Sequence, residues 1–95
     1  MQLEKTQLLW RFRSVEGHLR AVIGMVEQDQ PNEQVVYQLL AIRGSVDRLL
    51  ELLIRQRVER CLDALIHETC PERQALEINH LVNLYQYSRK QFYRR

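Results

Sequence analysis

From Pro31 to His67 the chain carries an unbroken helical pattern with apolar residues on two adjoining faces. From Val35 the apolar positions run Leu39, Ile42, Val46, Leu49 and Leu53, in steps of four, three, four, three and four, which is the spacing of one helix face. Val36, Leu40, Leu50, Ile54, Cys61 and Leu65 line a second face beside it. No proline interrupts the stretch, and Gly44 is its only weak helix former. At ~1.5 Å per residue, roughly 36 residues predict a rod of ~50 Å. A rod that long, apolar on more than one side, cannot bury itself within a 95-residue monomer. The pattern therefore predicts partner helices from other copies of the chain. Periodicity demands partners without counting them, so dimer and tetramer both stand open.

Ninety-five residues is one domain's worth of chain, 1–95. A domain this small buries only a modest share of its surface alone. The hydrophobic fraction of 45% and charged fraction of 27% are ordinary for a soluble protein. No apolar run reaches the ~18 residues that a membrane span needs. Met1-Gln2-Leu3-Glu4-Lys5 lacks the charged-then-apolar plan of a secretory signal, so a cytoplasmic location is expected. In a reducing cytosol Cys61 and Cys70 are expected as thiols.

Three helices and no strands are predicted, an all-α chain. Helix 1 runs from about residue 4 to 28, on Leu8, Val15, Leu19, Val22 and Val26, with Leu9 and Phe12 beside them. Asp29-Gln30-Pro31-Asn32 breaks the pattern, and a proline suits a helix's first turn. Helix 2 is the rod, about 31 to 68. Thr69-Cys70-Pro71-Glu72 reads as a capping box, with Thr69 as cap and Glu72 reaching back. Helix 3 follows from about 70 to 87, on Leu76, Leu81, Leu84 and Tyr85, and 88–95 reads as a loose basic tail. Two long helical hairpins of this kind can pack as an antiparallel four-helix bundle, with helix 3 covering an end or docking on a second dimer.

The sequence has no Gly-rich phosphate loop, no HExxH, no CxxC and no Gly-x-Ser-x-Gly. His18, His67 and His80 are scattered, and no enzyme activity is expected. Charge is more informative. Net charge is only +2, yet residues 69–95 carry five basic and two acidic groups. In the segment Arg11-Phe-Arg-Ser-Val-Glu-Gly-His-Leu-Arg20, Arg13 and Arg20 share a face, and Arg11 lies ~200° from Arg13 at ~100° per residue. These arginines read either as a solvated basic stripe or as phosphate contacts.

Trp10-Arg-Phe-Arg-Ser-Val-Glu-Gly-His-Leu-Arg20 resembles the Ile-Glu-Gly-Gln-Val-Arg signature of the copper-sensing transcriptional repressors (CsoR, RcnR and FrmR-like regulators). Met25-Val-Glu-Gln-Asp29 resembles that family's Met-Val-Glu-Glu-Asp, and Gln38-Leu-Leu-Ala-Ile-Arg43 its Gln-Ile-Ser-Ala-Val-Arg. Val46-Asp-Arg48 resembles its Leu-Asp-Lys. The likeness runs without a gap over roughly residues 5 to 85, in order and in spacing. It implies a three-helix subunit assembled as a four-helix-bundle dimer and a dimer of dimers, which agrees with the over-long second helix. It also implies a repressor that holds operator DNA through basic side chains of helices 1 and 2 and releases it when an inducer binds between subunits.

By position, Arg11 and Arg48 fall on the family's DNA-facing basic sites, with Arg13, Arg20 and Arg43 as further candidates. Arginine suits phosphate because its planar fork donates two parallel charge-assisted bonds. No helix-turn-helix is apparent, so shape and deformability of the DNA are expected to carry specificity.

The family's metal site uses a Cys at the start of helix 2, a His 25 residues on and a Cys four beyond. Those positions are Asn32, Arg57 and Cys61 here. Cys61 alone survives as a metal-type ligand. Asparagine is a poor ligand for a soft ion, and Arg57 adds positive charge where a cation belongs. The usual transition-metal ion is therefore not expected at the standard site, and no cofactor is expected. The same departures remove the cysteine that formaldehyde- and persulfide-sensing relatives use. Glu77 matches a family acidic position near the site. Cys61 itself reads either as a small buried residue on an apolar stripe or as a residual sensor thiol activated by Arg57 and Arg60. Arg57 also raises an anionic inducer as a further reading.

The leading expectation is a cytoplasmic, homo-oligomeric repressor with operator DNA as partner, no membrane association and a degenerate inducer site at Asn32, Arg57, Cys61 and Glu77. The alternative is a helical oligomerisation or partner-binding module without DNA binding.

Overall fold

A computed structural model describes residues 4–92, the side chains of 90–92 excepted. Helix α1 spans Lys5–Glu27, α2 Asn32–His67 and α3 Pro71–Phe92, and no strand occurs among the described residues. The chain is all-α, with the long central helix that the periodicity predicts.

The α1–α2 connection is short because it is closed by a C-terminal cap. Asp29 takes a left-handed backbone, φ 56°. Its N–H then donates to Val26 O at 3.1 Å, and Gln30 N–H donates to Met25 O at 2.9 Å. These two bonds form a Schellman motif, which satisfies carbonyls that the last helical turn leaves open. Pro31 follows as the cap of α2. Its carbonyl accepts from Gln34 N at 3.0 Å and Val35 N at 3.3 Å, and its missing N–H loses nothing at a helix start.

The capping box expected at Thr69 does not form. Glu68 does the capping instead: its Oε1 accepts from Thr69 N at 3.1 Å and Cys70 N at 3.0 Å. Gln74 Nε2 in turn donates to Glu68 O at 2.7 Å. The preceding carboxylate reaches the free amides, and α3 opens at Pro71. At its other end α3 continues to Phe92, through residues 88–92 that the sequence suggested as tail. Tyr93, Arg94 and Arg95 of that tail lie outside the described residues.

The chain forms two compact units, one ending at Leu52 and the other starting at Leu53. In the first, α1 and the front of α2 share a small core of Val22, Ile42, Leu49 and Leu52. Ile42, Leu49 and Leu52 recur at helical spacing, so one stripe of α2 is buried. Leu39 and Val46, on the same predicted face, stay exposed. In the second unit, the rear of α2 and α3 bury Cys61 completely, at 0% exposure. Large apolar side chains remain open to solvent in both units, Phe12, Ile23, Val36 and Leu40 in the first and Ile66 and Leu76 in the second among them. Among the described residues no helix is long and apolar enough to cross a membrane.

Candidate nucleic-acid interface and inducer site

Within the first unit α1 and α2 frame a groove of 510 Å³. From α1 it is lined by Trp10, Arg11, Ser14, Val15 and His18, and from α2 by Ala41, Gly44, Ser45, Arg48 and Leu49. Helical geometry produces this lining. Residues 11, 14, 15 and 18 fall on one face of α1, and 41, 44, 45 and 48 on one face of α2. The small residues leave the space. Nothing stands within 4 Å of where a Gly44 side chain would begin. The two serine hydroxyls turn inward along their own helices, Ser14 Oγ donating to Trp10 O at 3.0 Å and Ser45 Oγ to Ala41 O at 3.3 Å.

Arg11 and Arg48, 37 positions apart in sequence, meet in this one groove. Arg48 Nη1 pairs with Glu51 Oε1 at 3.1 Å, with both side chains about half exposed. Such an exposed pair is worth ~1 kcal/mol or less and yields to a stronger anion. His18, at the groove wall, is held by Gln38: Nε2 donates to the amide oxygen at 2.7 Å. That bond joins α1 to α2 and gives His18 a fixed, part-buried place. The remaining arginine candidates do not converge there. Arg13, Arg20 and Arg43 are exposed and lie outside the groove lining. Arg20 Nη2 makes only a long, open contact of 3.8 Å with Glu16.

The second unit brings three of the four inducer-site candidates together. Arg57 Nη2 donates to Glu77 Oε2 at 3.0 Å and to Oε1 at 3.3 Å. Cys61, one turn on from Arg57, donates from Sγ to the main-chain oxygen of Glu77 at 3.5 Å. Two successive turns of α2 therefore grip one residue of α3. Asn32 is the first residue of α2, in the other unit, and is exposed. Cys70 is partly exposed, its Sγ 3.3 Å from Glu72 Oε2.

As a metal site this donor set fits poorly. Among the described residues no three of His, Cys, Asp and Glu come together. The one carboxylate beside Cys61 already faces a guanidinium, a group that stays charged and offers no lone pair. The same pairing counts against the anionic inducer, because Arg57 already has its counter-ion.

Sequence reasoning picked out Arg11, Arg48, Arg57, Cys61 and Glu77 but missed Trp10, Gly44 and Gln38. Trp10 is 69% exposed at the groove, a large aromatic left open on an ordinary helix face. A glycine inside a long helix was the available signal for Gly44, since it costs ~1 kcal/mol against alanine and asks for a reason.

The sequence model of the metal-sensitive transcriptional repressor family matches residues 4–86. A copper-sensing transcriptional repressor, CsoR, of Mycobacterium ulcerans (strain Agy99) is 30% identical over 63 residues, 66% of this chain and 54% of that protein. The CsoR of Mycobacterium tuberculosis (strain ATCC 25618 / H37Rv) is 27% identical over 63 residues, 66% and 53% of the two chains. The chain thus spans about half the length of the curated relatives it matches. The solved structure of the nickel-responsive transcriptional regulator InrS superposes with a TM-score of 0.75 at 28% identity, covering 87% of this chain and 93% of that one. With the family pattern spanning all three helices and the same all-α fold beneath it, this chain belongs to the metal-sensitive transcriptional repressor family.

Proposed function

We propose that this chain is a cytoplasmic, homo-oligomeric transcriptional repressor that holds operator DNA through arginines and lets it go on a signal at a site between subunits. The observation that carries this reading is the convergence of Arg11 and Arg48 on one groove beside the open indole of Trp10. Two guanidinium groups on a concave, partly polar wall suit a run of backbone phosphate, and Arg13, Arg20 and Arg43 add charge around it. Assembly is supported by the apolar side chains that both units leave exposed.

Release works through the second unit of the fold in this reading. A site between subunits takes Asn32 from one copy and Arg57 from another in this reading. Cys61 and Glu77 complete that site.

The test is fluorescence anisotropy of the purified protein on duplex DNA from upstream of its own gene, titrated with salt. Saturable binding that falls steeply with salt is the expected result, because each neutralised phosphate releases counter-ions. Binding no tighter than to random duplex would instead leave a helical oligomerisation module.

A further inference from the structure

We infer that Arg57 is a built-in cation for Glu77: its guanidinium ties α3 to α2 where relatives are expected to place a metal ion, so this unit is closed without metal.

Three observations carry this. The guanidinium lies within hydrogen-bond distance of both Glu77 oxygens, 3.0 and 3.3 Å, a charge-assisted contact between residues 20 apart in sequence. The Cys61 thiol, fully buried, donates a hydrogen bond to the Glu77 carbonyl at 3.5 Å, so its S–H is used in the same junction. A metal ligand has to be the thiolate, and forming it here breaks that bond. Finally, the side chains are only part-exposed, 37% for Arg57 and 29% for Glu77, so the pair is shielded on one side from water. An imidazole at position 57 can lose its proton and become a ligand. A guanidinium cannot. The substitution thus exchanges a reversible cation for a permanent one, and copper or nickel does not control the junction.

The tie is read in protein free of DNA, so it stands or falls separately from the DNA reading. Two measurements test it on the full chain. The first is competition for Cu(I) and Ni(II) against a chromophoric chelator, in a Cys70→Ser background that removes the partly exposed thiol. No uptake is expected, and withdrawal of one ion per subunit would overturn the inference. The second is backbone amide exchange over residues 73–81. Arg57→Met should speed exchange there about three- to fivefold, the effect of losing a partly exposed ion pair, while added metal leaves the unsubstituted protein unchanged. Exchange in Arg57→Met equal to the unsubstituted protein, or slowing by metal, overturns it. If Arg57→Met loses helix content by circular dichroism, Glu77→Gln supplies the same comparison.

Discussion

Arg57 and Glu77 meet across twenty residues of sequence, the Nη2 of one donating to both carboxylate oxygens of the other at 3.3 and 3.0 Å. Cys61 lies one turn further along α2 and binds the carbonyl of the same glutamate. A double-mutant cycle of Arg57→Met and Glu77→Gln should therefore return a coupling of about 1 kcal/mol, at the upper end for a pair that keeps some contact with water. Urea unfolding of the four proteins measures it. A coupling indistinguishable from zero would mean the pair is held by its surroundings and adds no stability.

Arg11 and Arg48 share a groove that Arg13, Arg20 and Arg43 do not line. Removing either groove arginine should weaken DNA binding about tenfold, the scale of a single charge-assisted bond to phosphate. The log–log salt slope should also become shallower by ~0.9 for each phosphate that is no longer neutralised. Arg20→Ala, whose side chain is 76% exposed, should change both far less. Anisotropy titrations at several salt concentrations separate the two classes. Equal losses at all five positions would favour a diffuse positive surface over a groove.

Gly44 sits inside α2 with nothing within 4 Å of an added Cβ. Gly44→Ala should raise stability by about 1 kcal/mol per subunit, through helix propensity and a less flexible unfolded chain. A larger side chain at the same place, as in Gly44→Gln, should keep the fold and weaken DNA binding, because it enters the groove between Arg11 and Arg48. Thermal unfolding paired with anisotropy reads both. Destabilisation by alanine would show that another copy of the chain packs against this floor.

Asp29 closes the α1 cap with φ 56°, a region that any side chain with a Cβ enters at a cost. Glycine enters it freely, so Asp29→Gly should stabilise the chain by roughly 0.5 to 1 kcal/mol while both cap bonds persist. Asp29→Val should destabilise it by more than that. Denaturant midpoints of the two variants give the comparison.

The two thiols should differ sharply in reactivity. Cys61 is fully buried, whereas Cys70 is partly exposed at the start of α3. A thiol reagent under native conditions should label Cys70 at once and Cys61 only at the rate of local unfolding. Mass spectrometry after timed quenching distinguishes them. Rapid labelling of Cys61 would favour its reading as a sensor thiol over that of a small buried residue.

The apolar steps of α2, the break at Asp29 to Asn32 and the order of the family motifs were all legible in one dimension, because helix period and motif spacing are local properties. The all-α fold, the long central helix and the candidate residues Arg11, Arg48, Arg57, Cys61 and Glu77 followed from them. Local competition defeated the capping box at Thr69: Glu68, one residue earlier, takes the Thr69 amide that Glu72 was to reach, and the Cys70 amide with it, with a full charge. What tertiary structure alone decided was partnership. Whether Arg57 faces a metal, an anion or a carboxylate depends on the rotation of α3 about its axis, which brings Glu77 to it. Likewise, Arg11 and Arg48 become one surface only when α1 lies beside α2 with small residues between them, and His18 finds Gln38 by the same packing. Periodicity names the face of a helix, but the neighbour opposite that face is set by how the helices pack.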